Sequence, residues 1–186
     1  MDRVAGQTLD KLWNGLSAAQ KLEIVQQLKE SIDAIRSLSD SEFSDSIANT
    51  KPRGFLFDFD EPIDGPSDTE EPLVNGLVDM HLAEDPERRQ YEAGYDRKSL
   101  MKKLKGDGRL FFTHCDLHLK KIMLQPDGRI AIIDWAAAGW YPVYWEYVAA
   151  IGARVGWNKD WYSHINLFLD EYPNHYLWMN GLLMYR

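Results

Sequence analysis

The sequence predicts an α-rich α+β fold, and three observations carry that prediction. Residues 17–38 have the apolar spacing of a long helix, a compact β portion lies at residues 110–133, and the part after Val143 is again helical in pattern. Of the 186 residues, 45% are hydrophobic and 12% aromatic, which is typical of a folded domain and too apolar for a disordered chain. We therefore expect one domain over residues 1–186.

The helix at residues 17–38 is the clearest predicted element. Ser17 and Gln20 form the pattern of a capping box, in which each side chain satisfies a backbone N–H of the other residue. Apolar residues then recur every three or four positions, as one face of a helix requires. They are Leu22, Val25, Leu28, Ile32, Ile35 and Leu38. Residues 1–16 are expected to be an extended segment that leads into this helix.

Further helices are expected before the β portion. Residues 39–66 mix Ser, Asp, Gly and Pro and predict a loop, after which a capping pattern at Ser67 predicts a second helix to Met80 or His81. Pro86 favours the first turn of a third helix that continues to about Leu104. The mainly helical region therefore covers residues 17–105, and a glycine-rich turn at 106–108 ends it.

The β portion predicts one short strand and one hairpin. Leu110–Thr113 forms the strand, while residues 122–124 and 129–133 flank Gln-Pro-Asp-Gly, a sequence typical of a tight turn. We place the chemically active region at residues 110–142 and the C-terminal helices at residues 143–186.

The charge balance disfavours several classes of partner. The formal net charge is −8, and apart from a short run at residues 102–105 there is no basic stripe, so nucleic acid and membrane surfaces are not expected as partners. The most apolar stretch, residues 131–148, is interrupted by charged residues and a proline, so no membrane span is predicted. Cys115 is the single cysteine, which excludes an internal disulfide and favours a cytoplasmic location.

Two aspartates flank the predicted hairpin. Asp116 lies in the loop after the strand at residues 110–113, and Asp134 ends the return strand of the hairpin, so the hairpin brings both carboxylates to one edge. In phosphoryl transfer, one such aspartate accepts the proton of the attacking hydroxyl and the second holds Mg²⁺ against the phosphates. This predicts Asp116 as the base and Asp134 as the metal ligand. The alternative is that both are inherited structural acids that satisfy backbone donors.

Four motifs carry a resemblance to a known superfamily. They are His114 to Ile122, Ile133-Asp134-Trp135, Ala138 to Pro142, and Tyr144-Trp145-Glu146-Tyr147. With them, the chain resembles the aminoglycoside phosphotransferase and choline-kinase-like superfamily, especially its fungal members of unassigned substrate. The resemblance implies the C-terminal lobe of a protein-kinase-like fold, with residues 1–16 as the former hinge segment and an acceptor groove between the helices.

The chain departs from the pattern of that superfamily in two respects. It starts at the hinge, so we expect the nucleotide-binding N-terminal lobe to be absent. Lys121 stands five residues after Asp116, where the resemblance implies an asparagine that helps to bind the metal. An ammonium cannot coordinate Mg²⁺, and at about 4 Å it repels the ion by a few kcal/mol. We therefore expect Lys121 to lie within hydrogen-bonding reach of Asp134 or Asp116.

The candidate site residues follow from these motifs. The catalytic candidates are Asp116, His118, His114 and Lys121, and Asp134 is the former metal position, expected to be metal-free. His118 is expected in the exposed part of the loop as an acid or base, and His114 as an orienting residue. Cys115, which replaces the usual glycine of this loop, is expected to pack. The candidates to line a substrate groove are Trp135, Trp140, Tyr141, Trp157 and Trp161.

Three functions remain open at the level of the sequence. The preferred one is a repurposed lobe that binds a small molecule, or performs metal-independent acid/base chemistry on one, in a setting such as secondary metabolism. It requires no cofactor. The first alternative is an ATP-dependent phosphotransferase of small-molecule hydroxyls, represented by a truncated form, which would require Mg-ATP. The second is a noncatalytic pseudokinase whose former inter-lobe face is covered by a homodimer contact or a protein partner.

Overall fold

The computed structural model describes residues 4–38, 70–83, 98–99, 101–153 and 158–184. Helices and two small antiparallel sheets make up this part of the chain, which confirms the predicted α+β class. In chain order, the elements are β1 (Gln7–Thr8), α1 (Leu9–Leu12), a 3-10 helix at Trp13–Gly15, α2 (Ala18–Arg36), α3 (Glu70–Ala83), β2 (Leu110–Thr113), a 3-10 helix at Leu119–Lys121, β3 (Ile122–Leu124), β4 (Ile130–Ile132), a 3-10 helix at Trp135–Ala137, β5 (Gly139–Pro142), α4 (Trp145–Gly152), α5 (Lys159–Ile165) and α6 (Pro173–Met184).

Helix α2 confirms the clearest sequence prediction. The Ser17 hydroxyl accepts a hydrogen bond from the Gln20 N–H at 3.3 Å, and the Gln20 side chain accepts one from the Ser17 N–H at 2.9 Å, so the capping box is present. The helix ends at Arg36, and Leu28 on its inner face is fully buried. Two members of the apolar series, Leu22 at 55% and Leu38 at 36%, are exposed and lie outside the buried face.

The first residues differ from the expected extended segment. Among the described residues up to 16, only Gln7–Thr8 forms a strand, β1, which pairs with β3. Helix α1 and the following 3-10 helix make residues 9–15 helical. Leu9 and Trp13 stand four residues apart and are both fully buried, which explains why a helix forms here. Gly6 has a φ of +129° and passes so close to Leu124 that a Cβ would lie 2.2 Å from its carbonyl oxygen.

The predicted hairpin is present and belongs to a three-stranded sheet. Its strands β3 and β4 pair with Met123 opposite Ala131, and β1 lies on the other side of β3. Gly128 supplies a φ of +84° in the turn, and its N–H donates to the Gln125 carbonyl at 3.0 Å. The second sheet consists of β2 and β5, where Phe112 lies opposite Trp140. Strand β5 was not among the elements predicted from the sequence.

Two hydrophobic clusters meet at α4. The first joins α1, α2, the 3-10 helix before β3, and α5, and it includes Leu28, Leu117, Tyr147 and Ile165. The second joins α3, residues 101–104 and α6 behind the loop after β2, and it includes Val74, Leu104, Cys115, Trp145 and Met179. Helix α4 contributes residues to both clusters, and its Glu146 accepts a hydrogen bond from the loop that carries Asp116.

The remaining predictions on secondary structure are confirmed where the structure describes the chain. Residues 101–104 are helical, residues 106–108 form a turn region, and three helices follow Val143. The loop predicted at 39–66, the cap at Ser67 and the helix start at Pro86 lie outside the described residues. Among the helices that are described, none has the length and apolar character that a bilayer crossing requires.

Candidate functional site

The loop between β2 and β3 contains a residue in left-handed backbone geometry. Cys115 has a φ of +67°, and Asp134, which follows β4, has a φ of +66°. Residues other than glycine enter this region at a cost of about 1–2 kcal/mol, so the surrounding contacts must hold them there. The resemblance implied a glycine at position 115, and the positive φ gives the physical reason for that preference.

His114 ties the two loops together. Its ring is fully buried, Nδ1 accepts the Asp116 backbone N–H at 3.2 Å, and Nε2 lies 3.0 Å from the Ile133 carbonyl oxygen. Since Nδ1 accepts, Nε2 carries the proton and donates to Ile133. Burial lowers the pKa of His114, which favours this neutral form. The ring is hydrogen-bonded as an orienting residue would be, and a part in catalysis stays a prediction.

Lys121 lies between the two aspartates. Its Nζ is 3.1 Å from Asp116 Oδ2 and donates a short hydrogen bond to Asp134 Oδ2, which is the geometry expected from the sequence. The hydrogen bond with Asp134 raises the pKa of Lys121 and lowers the pKa of Asp134. The side chains of Lys121, Asp116 and Asp134 are 20%, 28% and 49% exposed, so solvent reaches Asp134 most readily.

His118 is buried, and its predicted exposure was wrong. It is 5% exposed, because the chain turns inward at Leu117 and Leu119 on either side of it. Its Nδ1 accepts the Lys120 backbone N–H at 3.3 Å, and its Nε2 lies 3.5 Å from Asp116 Oδ1. Burial lowers its pKa. Both ring nitrogens thus face protein groups, one of them Asp116. The part of His118 as an acid or base stays a prediction.

The site does not fit the magnesium ion that phosphoryl transfer uses. Mg²⁺ requires near-octahedral oxygen ligands, whereas the ammonium of Lys121 lies against both carboxylates and would repel the ion. Within the described ranges, no group of three or more His, Cys, Asp or Glu side chains is placed to hold a metal ion. Asp116 and Asp134 are thus brought together, but around an internal cation.

The aromatic groove candidates have different environments. Trp135 is 38% exposed, and its indole N–H donates to the Ile132 carbonyl at 3.0 Å while its ring stacks on Phe112 at 6.1 Å. Trp140 is half-buried. Trp161 is buried in the first hydrophobic cluster and Tyr141 in the second, and their part in a substrate groove stays a prediction. Trp157 lies outside the described residues.

Glu146 is a site residue that belongs to one of the four sequence motifs but for which no role was predicted. It lies in the first turn of α4, is 1% exposed, and its Oε2 accepts the His114 backbone N–H at 2.6 Å. Burial raises its pKa to about 7, although the N–H of His114 and the charge of Arg36 act in the opposite direction. The signal available in the sequence was a single acidic residue among Trp, Tyr, Val and Ala in this helix, which indicates a buried carboxyl group.

Cys115 has the packing role predicted for it. It is 3% exposed within the cluster of α3, α4 and α6. Burial, and after it the nearby charge of Glu146, raise the pKa of the thiol well above its usual value. The thiol is therefore protonated at neutral pH, which argues against a nucleophile at this position.

Comparison with known proteins bears on the family of this chain. The family model described as the phosphotransferase enzyme family matches residues 1–178. No curated protein matches the chain. The matched segment includes the loop of Asp116, the hairpin and the residues around Asp134, and it covers nearly the whole chain. By this match, the chain belongs to the phosphotransferase enzyme family.

Proposed function

We propose that this chain is a member of the phosphotransferase family in which Lys121 replaces the metal, and that it binds a small molecule without transferring phosphate from Mg-ATP. The contact of the Lys121 ammonium with both aspartates carries the proposal. One internal positive charge offsets part of the repulsion between the carboxylates, which in a metal-dependent enzyme is the role of the ion.

Binding is favoured over metal-independent acid/base chemistry. The pKa of Asp134 is lowered and that of Lys121 is raised by their mutual hydrogen bond, so both stay charged at neutral pH. Groups that transfer protons efficiently have pKa values near the working pH. The Asp116 carboxylate is paired with the Lys121 ammonium at 3.1 Å. His114 and His118 are buried, and both ring nitrogens of each face protein groups.

A ligand can reach the outer edge of this site. Asp134 is half exposed, and the neighbouring residue Trp135 is exposed over 38% of its surface while three contacts hold its ring in place. A fixed aromatic ring offers contact area at low entropic cost, and a carboxylate fixes the orientation of a polar group. These two residues are the proposed ligand-contacting groups.

Calorimetry with ATP, in the presence and absence of Mg²⁺, tests the proposal against the kinase alternative that the family match favours. We expect no micromolar binding that depends on magnesium. A thermal-shift screen of small hydroxylated and amine-bearing compounds then tests the binding function. A compound that stabilises the protein should lose its effect in both Trp135→Ala and Asp134→Asn variants. Micromolar, magnesium-dependent ATP binding would overturn the proposal and favour the alternative, an ATP-dependent phosphotransferase.

A further inference from the structure

The loop that carries Asp116 is attached to α4 through a buried carboxylate. Glu146 Oε2 accepts the His114 backbone N–H at 2.6 Å, and the side chain is 1% exposed. The other oxygen, Oε1, is buried and has no hydrogen-bond partner within the part of the chain that the structure describes. This carboxyl group therefore lies in the core with one firm hydrogen bond to the loop.

Groups from two elements face Glu146. From the loop, the N–H groups of His114 and Cys115 and the charge of Asp116 act on it, and from α2 the charge of Arg36 does. The Arg36 guanidinium also donates to the Val143 carbonyl at 3.1 Å, which ties α2 to the segment just before α4. One cation, one anion and the protonated thiol of Cys115 thus face Glu146 besides the backbone.

The loop segment that Glu146 holds is strained. Cys115, directly after His114, has a φ of +67°, in a region where a residue with a Cβ is disfavoured. Such geometry persists only where the surroundings enforce it. On the loop side, His114 is bonded to Glu146 and through its ring to Asp116 and Ile133. Release of the Glu146 contact would let Cys115 relax and would shift Asp116 with it.

We propose that Glu146 is a proton-sensitive positioning residue: its ionisation sets how readily the loop at residues 114–116 opens, and so regulates the arrangement of Asp116 beside Lys121. The proposal concerns the site assigned above to ligand binding and in that sense rests on the proposed function. The loop motion itself requires no ligand.

The direction of the effect follows from linkage. Burial raises the pKa of Glu146 to about 7 in the closed loop, whereas a solvated glutamate titrates near 4.5. A carboxyl with a raised pKa binds its proton more tightly when closed, so protonation favours the closed loop and ionisation favours opening. Between about pH 6 and about pH 8, the opening equilibrium should rise about tenfold and then level off.

Cys115 is a natural reporter of this opening, because it is the single cysteine of the chain and is buried beside the contact. The experiment measures the rate of thiol labelling in the native protein and in the urea-unfolded chain at each pH. Their ratio is a protection factor in which the intrinsic ionisation of the thiol largely cancels. We expect protection to fall about tenfold from about pH 6 to about pH 8.

Two variants and a urea series complete the test. Glu146→Gln keeps a carbonyl for the His114 N–H but cannot ionise, so its protection should not change over this range. Glu23→Gln, on the exposed face of α2, should behave as the wild type.

Low urea should barely change protection if the opening is local. A protection factor of the wild type that does not change with pH would overturn the proposal, whether or not Glu146→Gln folds. A protection factor that depends on urea as strongly as global unfolding does would overturn it as well. Neither outcome bears on ligand binding.

Discussion

Replacement of Lys121 by asparagine is the most direct perturbation of the site. The substitution restores the side chain implied by the family pattern and removes the ammonium that lies 3.1 Å from Asp116 and also contacts Asp134. Without the ammonium, two carboxylates face each other with no cation between them. The variant should therefore be less stable in metal-free buffer and should respond to magnesium.

The magnitude follows from charge separation and exposure. At 3.1 Å and an effective dielectric near 20, one lysine–aspartate attraction is about 5 kcal/mol before the cost of desolvation. Exposed pairs retain about 0–1 kcal/mol of such an attraction, and loss of one partner from a buried pair costs about 3–5 kcal/mol. Asp116 is 28% and Asp134 49% exposed, which places this cluster between those limits. We expect a loss of about 1–3 kcal/mol.

Denaturant unfolding with EDTA or with excess Mg²⁺ measures both effects. Lys121→Asn should regain stability with magnesium, by about 3 kcal/mol if the ion is present at a hundred times its dissociation constant. Lys121→Met removes the charge and supplies no metal ligand, so it should lose stability without a response to magnesium. Lys120→Asn, at the exposed neighbouring residue, is the matched control and should change stability by less than about 0.5 kcal/mol. If Lys121→Asn unfolds like the wild type under both conditions, the internal-cation interpretation is wrong.

Two further predictions concern the backbone and the acid limit. Gly6→Ala should cost more than about 2 kcal/mol, because its Cβ would lie 2.2 Å from the Leu124 carbonyl oxygen at a φ of +129°. Gly128→Ala, with a positive φ but open space, should cost about 1 kcal/mol, and Gly15→Ala, which has neither problem, should be near neutral in chemical denaturation. The lowered pKa of Asp134 contributes stability that is present above its ordinary value of 3.8 and is lost as the pH falls through the lowered value. Asp134→Asn should flatten the acid limb of a stability–pH curve, and an unchanged limb would contradict this assignment.

The elements predicted correctly depend on interactions within a few residues. The capping box at Ser17, the turn that ends at Gly128 and the run of helices after Val143 are each determined by neighbours in sequence. The elements that were missed depend on distant partners. Strand β5 forms because β2 pairs with it, and α1 forms because Leu9 and Trp13 pack into the first hydrophobic cluster.

The candidate site divides in the same way. The hairpin brings Asp134 back towards Asp116. Lys121 directly precedes the hairpin, so its contact with both aspartates could be predicted from the order of residues along the chain. The exposure of His118, Tyr141 and Trp161 was not predictable, because an aromatic or imidazole side chain suits a groove and a core equally well.

The sequence by itself determined the identity of the charged groups and the local turns that bring them to one edge. A lysine between two aspartates is already present in the order of residues, and opposite charges attract wherever the chain lets them meet. Only the tertiary structure decided which groups lie out of water. Glu146 lies against the loop and is buried, which raises its pKa. His118 is buried as well. Desolvation depends on every segment packed around a group, and for that reason it cannot be inferred from the neighbours of that group in sequence.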